Sequence, residues 1–148
     1  MVVTGLWVAL GTLALGTVIG VVRVRAGGRL RDGDPGSRLG AGDLGAELGE
    51  RATLVQFSTA FCQPCRATRV ILADVSALVP GVAHVEIDAE SRLELVRRLD
   101  VMRTPTVFVL DAQGKIVKKA SGQPRKADVL NALAAAVSHD SSHKPDEK

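Results

Sequence analysis

Thr53-Leu54-Val55-Gln56-Phe57-Ser58-Thr59-Ala60-Phe61-Cys62-Gln63-Pro64-Cys65-Arg66 holds, in order, a strand, a short loop and a pair of cysteines. Thr53 to Ser58 is short and rich in β-formers, as a strand should be. Pro64 suits the first turn of a helix, where a missing N–H costs nothing. From Pro64 to about Val79 the chain carries Val70, Ile71, Val75, Leu78 and Val79, an apolar helical face. This order places Cys62 at a helix N-terminus. Amides without intrahelical partners and the positive end of the helix dipole stabilise a thiolate there and lower its pKa. Cys62 is the expected attacking residue. Cys65, one turn on and less exposed, is the expected resolving residue in dithiol–disulfide exchange. Two inert buried thiols are the plain alternative. A soft-metal site such as one for Cu(I) is another, but it would want a Met-rich or Cys-rich loop, which this chain does not have.

Outward from this stretch, periodicity supplies the other elements. Pro80-Gly81 stops the helix. Val82 to Ile87 alternates as a strand does. Glu90 to Leu99 reads as a helix with Leu93, Val96 and Leu99 inward and arginines outward. Thr106 to Leu110 is a nearly continuous apolar strand. Asp111-Ala112-Gln113-Gly114 is a hairpin turn, and Lys115 to Ala120 is the return strand, ended before Gly122. Lys126 to Val137 is an Ala- and Leu-rich helix. The polar residues after it, 139–148, have the composition of a disordered tail. The order β-α-β-α-β-β-α predicts an α/β fold: a central mixed sheet flanked by helices, with crossover helices giving parallel strands and the hairpin antiparallel ones. In Thr104-Pro105-Thr106 a proline sits just before a buried strand. A cis bond there would set backbone beside the cysteines and leave the Arg103–Thr104 side free to pair with an extended peptide. An ordinary trans proline at a strand start is equally compatible with the residues.

The 148 residues fit one domain. With aromatics at 3%, the core must be built from Val, Leu, Ile and Ala. The net charge of +3 is spread along the chain with no dense basic block beside stacking aromatics, so no nucleic-acid interface is expected. Two cysteines are too few for a disulfide framework. They are also too few for a structural zinc site, which takes four ligands. His84, His139 and His143 are the only histidines, and the last two lie in the polar tail. No metal is expected. No nucleotide-binding fingerprint is present either, so the redox group is the Cys62–Cys65 pair itself, with no separate cofactor.

Val2 to Val22 contains no charged residue and is long enough to cross a hydrocarbon core of roughly 30 Å as a helix. Trp7 lies near one end, where an amphipathic ring suits the interface. A cleavable signal peptide is the rival reading, but nothing basic precedes Val2, and Val21-Val22-Arg23-Val24-Arg25 is a poor cleavage site. Residues 1–22 are therefore expected to be an uncleaved transmembrane helix. Arg23, Arg25, Arg29 and Arg31 follow it, which by the positive-inside rule puts the C-terminal side in the cytoplasm. Gly16 and Gly20 form a GxxxG spacing that can pair helices in a weak transmembrane dimer; the plainer reading is that glycine is common in membrane helices. Residues 23–50, rich in Gly, Arg and Asp, are expected to be a flexible linker with nothing to bury, apart from a short helical turn over 43–48. The folded domain is expected over 51–138.

Leu54-Val55-Gln56-Phe57, Phe61-Cys62-Gln63-Pro64-Cys65, Val85-Glu86-Ile87-Asp88, Thr104-Pro105-Thr106 and Gly122 stand in an order and spacing that resemble thioredoxin. Residues 51 to 137, about three-fifths of the chain, carry the resemblance; the whole looks like a membrane-anchored thioredoxin-like protein of the kind found in bacteria. The resemblance implies the thioredoxin fold, a Cys62 nucleophile, a Cys65 resolver and a cis bond before Pro105. It also implies a substrate face at Phe61, Gln63, Pro64, Thr104 and Pro105. Phe61 stands where the family usually has Trp, and Gln63 where it has Gly, so the family's reduction potential does not carry over. Gln56 stands where the family has a buried Asp that assists proton transfer at the resolving cysteine. An amide cannot act as an acid or base, though it can hold a water. His84 falls where thioredoxin has a Lys that pairs with that Asp. One reading is that Gln56 and His84 replace the ion pair by a neutral polar contact. The other is that His84 starts an exposed strand edge.

The expected function is a membrane-tethered protein-disulfide reductase acting on nearby protein disulfides, with electrons from a separate reductase or a membrane thiol carrier. Two alternatives remain at this point. One is an extracytoplasmic oxidant or reductase in envelope protein or cytochrome maturation. The other is a non-catalytic binding module on the thioredoxin fold, against which the intact cysteines argue.

Overall fold

The computed structural model describes residues 1–34 and 36–141. The chain runs α1 (Val2–Ala26), β1 (Leu30–Asp32), α2 (Ala41–Leu44), β2 (Ala52–Ser58), α3 (Gln63–Leu78), β3 (Val82–Asp88), α4 (Leu93–Arg98), β4 (Thr106–Asp111), β5 (Ile116–Ser121) and α5 (Lys126–Ser141). The strands form one sheet in the order β1-β5-β4-β2-β3. β2 and β3 are parallel, and the other neighbours are antiparallel. This is the expected mixed sheet flanked by helices.

β2 is buried along its whole length because it lies inside the sheet with both faces covered. On one face Val55 and Phe57 pack with Ile87, Leu95, Leu99, Phe108 and Leu110. The rings of Phe57 and Phe108 meet edge to face, 5.7 Å between centroids. On the other face Ala52 and Leu54 pack with Leu72 and Val75 of α3 and Val129 and Leu133 of α5. α3 and α5 thus cover the face to which Gln56, two residues on from Leu54, also points.

The phases of two helices differ from the expected ones. In α3 the buried stripe is Cys65, Thr68, Leu72 and Val75, while Val70 and Leu78 are exposed. The disulfide explains this: once Cys65 must face Cys62, every third or fourth residue after it turns to the sheet. In α4, which starts only at Leu93, Leu95 is buried and Leu93 is exposed.

The stretch 23–50 differs most from expectation. α1 continues past Val22 to Ala26, with Arg23 and Arg25 in its last turn, where cations complement the dipole. After three intervening residues β1 joins the sheet edge, pairing Leu30 with Ala120 and Asp32 with Lys118. Leu39 and Leu44 are buried in the main core, and Leu48 packs against it. The helical turn falls at Ala41–Leu44 rather than at 43–48. Its Asp43 is paired with Arg98 at 2.6 Å, and its carbonyl accepts from Arg92 at 2.5 Å. Single leucines spaced among glycines carry no periodicity, so this burial leaves no pattern in the sequence. The segment is therefore part of the fold and not a free tether.

α1 is long and apolar enough to cross a membrane over Val3–Ala26, and none of that span is buried. At about 1.5 Å per residue its 25 residues extend about 37 Å. Gly16 and Gly20 face open space. At the C-terminal end of α5, His139 is still helical, whereas the rest of the expected tail from 142 on, His143 included, lies outside the described residues.

Candidate active site

Cys62 and Cys65 form a disulfide with their Cα atoms 5.2 Å apart. Cys62 caps α3, and its Sγ accepts the Cys65 N–H at 3.2 Å. Pro64 sits in the first turn, as expected. The two sulfurs differ in access. Cys65 is 2% exposed, whereas Cys62 is half-buried, between fully exposed Phe61 and exposed Gln63 and Pro64. A thiolate released at Cys62 would keep the amide hydrogen bond and the favourable end of a 16-residue helix.

The second loop reaches the site through the register of the sheet. Phe57 lies opposite Thr106 on antiparallel β4, so the next facing pairs are 58 with 105 and 59 with 104. The Thr104–Pro105 peptide is cis. The Thr59 and Thr104 hydroxyls lie 3.3 Å apart, tying the loop before the cysteines to the proline loop. Thr106 Oγ1 donates to the Arg103 carbonyl at 2.6 Å, and the Gly122 N–H donates to the Pro105 carbonyl at 2.7 Å. Thr59 carries no mark in the sequence; only the strand register brings it opposite Thr104.

Behind the disulfide, Gln56 is fully buried. Its Nε2 donates to the Cys65 carbonyl at 2.8 Å, while its Oε1 has no hydrogen-bonding partner among the described residues. His84 on β3 lies opposite Leu54, and its buried Nε2 is likewise unpartnered among the described residues. The two side chains are therefore not joined by a hydrogen bond, and the expected neutral contact between them is not made. His84 does lie on the edge strand of the sheet, as the other reading has it, but it is half-buried and not exposed. Burial holds its pKa below the usual histidine value, with Arg69 acting in the same sense and Glu86 opposing.

The residue opposite Gln56 is Glu86, which sequence reasoning did not single out. Arg69 grips its carboxylate with both Nε and Nη2 at 2.6 and 2.7 Å, and buried Ser58 donates to the same group. The hydrogen bond from Arg69 is the main reason its carboxyl stays below the usual range. This charge is satisfied by its own partners one strand away from the disulfide. Gln56, fully buried and bonded to the Cys65 backbone, is the polar side chain that stands directly behind the resolving cysteine.

The thioredoxin family model matches residues 45–135. The chain belongs to the thioredoxin family. Thioredoxin H5 of Oryza sativa subsp. japonica is 34% identical over 77 residues, covering 52% of this chain and 56% of that protein. A thioredoxin H-type of Picea mariana is 30% identical over 91 residues, covering 60% of this chain and 71% of that protein. Among solved structures, a thioredoxin of Nicotiana alata superposes with a TM-score of 0.53 at 24% identity, over 59% of this chain and 74% of that one. The thioredoxin match leaves α1, β1 and α2 outside it.

Proposed function

We propose that this thioredoxin-family protein is a membrane-tethered protein-disulfide reductase. The observation that carries the reading is the asymmetry of the disulfide: Cys62 is accessible at a helix N-terminus and Cys65 is buried behind it. In the reduced enzyme the Cys62 thiolate attacks a substrate disulfide, forming a mixed disulfide and expelling one substrate thiolate. Cys65 then attacks the Cys62 sulfur, expels the second substrate thiolate and closes the Cys62–Cys65 bond. Two electrons pass to the substrate, and the expelled thiolates take protons from solvent. A separate reductase or a membrane thiol carrier restores the dithiol.

Several features support a protein substrate. Phe61 and Met102, on the two loops joined through Thr59 and Thr104, are exposed apolar side chains. Gln63 and Pro64 flank Cys62 at the surface. The Thr104 backbone N–H and carbonyl take no hydrogen bond among the described residues, which suits pairing with an extended chain.

The reading places α1 in the membrane and, from Arg23, Arg25, Arg29 and Arg31, the domain on the cytoplasmic side. The attachment favours substrates close to the bilayer. The Gly28 N–H bonds to the Ser121 carbonyl, and Ser121 is level with Thr106 and Phe57, at the end of the sheet that carries the disulfide. β1 and β2 are three strand spacings apart, about 14 Å at about 4.8 Å each. Insulin reduction by the full chain tests the proposal: a dithiol-driven rate that Cys62→Ser abolishes is expected, and a rate indifferent to Cys62→Ser defeats it.

A further inference from the structure

We propose that the cleft between the end of α1 and α5 binds the phosphate-bearing headgroup of an anionic phospholipid. The inference rests on the reading of α1 as a membrane helix. The cleft has a volume of about 830 Å³, within the usual range for ligand sites. Its charged lining is Arg25, Arg29, Lys118, Arg125 and Asp128. Four cations against one carboxylate leave a lining of net charge +3.

Most of that charge is uncommitted. Lys118 is held by Asp32 at 2.5 Å, a residue outside the cleft. Arg25, Arg29 and Arg125 have no carboxylate within ion-pair distance among the described residues. Three free guanidinium groups around one space are donors whose planar fork matches phosphate oxygens. They come from three parts of the chain: the last turn of α1, the junction after it and the approach to α5.

The cleft is built rather than formed by chance proximity of a loose helix. Gly28 has φ +81°, and a Cβ there would stand 1.9 Å from the Gln123 carbonyl oxygen, so the two backbones are in direct contact. Its N–H is bonded to the Ser121 carbonyl at 2.8 Å. Gly122 backs the same junction: a Cβ on it would stand 3.0 Å from the Gly28 nitrogen. The helix end is thus wedged against the start of α5 at a fixed spacing.

The wall toward the bilayer is apolar. Val22 and Val24 line it, and Val22 is the last residue of the uncharged run. The change from valine to arginine along α1 is where hydrocarbon gives way to headgroups. A ligand that fits must carry an anionic head for the arginines and an acyl part beside Val22. This is the chemistry of an anionic lipid, and basic pockets beside membrane helices suit such heads.

The test uses the full chain, reconstituted into liposomes and shown by carbonate-resistant association to be integral. Loss of that association would overturn the membrane reading itself. Binding of short-chain phosphatidylglycerol, short-chain phosphatidylcholine and inorganic phosphate is then measured in detergent by native mass spectrometry and calorimetry. The expected order is phosphatidylglycerol well above the other two. The triple variant Arg25→Gln/Arg29→Gln/Arg125→Gln is expected to weaken phosphatidylglycerol about a hundredfold, from roughly a fivefold contribution per cation. The pair Arg23→Gln/Arg31→Gln, juxtamembrane but outside the lining, is expected to leave it within about twofold. Insulin reduction should be unchanged in both. Equal loss in the control pair would mean diffuse surface attraction and overturn the proposal. Equal binding of phosphatidylcholine, or of inorganic phosphate, would overturn it as well.

Discussion

Replacing Gln56 by Met should stabilise the protein, and the sign follows from two opposed effects at one buried side chain. Gln56 is fully buried, and its Oε1 has no partner among the described residues. Such an orphaned acceptor costs about 1–3 kcal/mol. Against this, Met loses the hydrogen bond from Nε2 to the Cys65 carbonyl, at 2.8 Å. A bond of this kind contributes about 0.5–1.5 kcal/mol net. The Cys65 carbonyl is not stranded, because within α3 it accepts from the amide four residues on. Met is unbranched, of similar length, and adapts to irregular space. The balance is a gain of about 1 kcal/mol, or about 4–8 °C in Tm for a domain of about 100 residues. Thermal and denaturant unfolding of the full chain in detergent would measure it. The same variant should leave the pH dependence of disulfide exchange untouched, since an amide neither gives nor takes a proton. A loss of more than about 1 kcal/mol would refute the reasoning, since it would mean that Oε1 is satisfied in solution. A lost limb in the pH profile would refute it from the other side, by showing that Gln56 helps move a proton.

His84 should make stability pH-dependent. Burial holds its pKa down, so below about pH 6.5 the unfolded chain takes up a proton that the folded chain refuses, and stability falls as pH drops through that region. Unfolding of His84→Leu from pH 7 to 5 should lack this slope. The loss at lower pH should remain as pH falls through the depressed carboxyl pKa values of Glu86, held by Arg69, and of Asp43, held by the Gly40 amide and Arg98. Gly28→Ala should free β1 from the sheet: the left-handed backbone costs an alanine about 1–2 kcal/mol, and the Cβ would meet the Gln123 carbonyl. Hydrogen exchange at Leu30–Asp32 should then speed by at least about tenfold with β2 and β4 unchanged, and equal protection in the variant would contradict the docked junction.

The parts of the fold legible in the sequence were those with strong local patterns. β2, β3, β4 and β5 and the helices between them follow from runs and alternation bounded by Pro80-Gly81, Gly114 and Gly122. The CxxC context likewise gave the Cys62 cap and the buried position of Cys65. What was not legible depends on contacts made at a distance. β1 is three residues long and exists because β5 offers an edge. Leu39 and Leu44 are isolated leucines that become core only when the chain crosses the sheet. The rotation of α3 is not legible because Val70 and Leu78 have the character of core residues, whereas the disulfide fixes the phase through Cys65. Thr59 meets Thr104 through strand register, and Glu86 meets Arg69 through the packing of α3 beside β3, neither of which a local pattern encodes.

The most direct test of the central claim is to identify which cysteine carries the mixed disulfide. The full chain with Cys65→Ser, reduced and then exposed to an oxidised protein substrate, should accumulate a covalent adduct that mass spectrometry maps to Cys62. Cys62→Ser should trap little or none, because the Cys65 thiol is buried. An adduct at Cys65, or none at Cys62, would contradict the account.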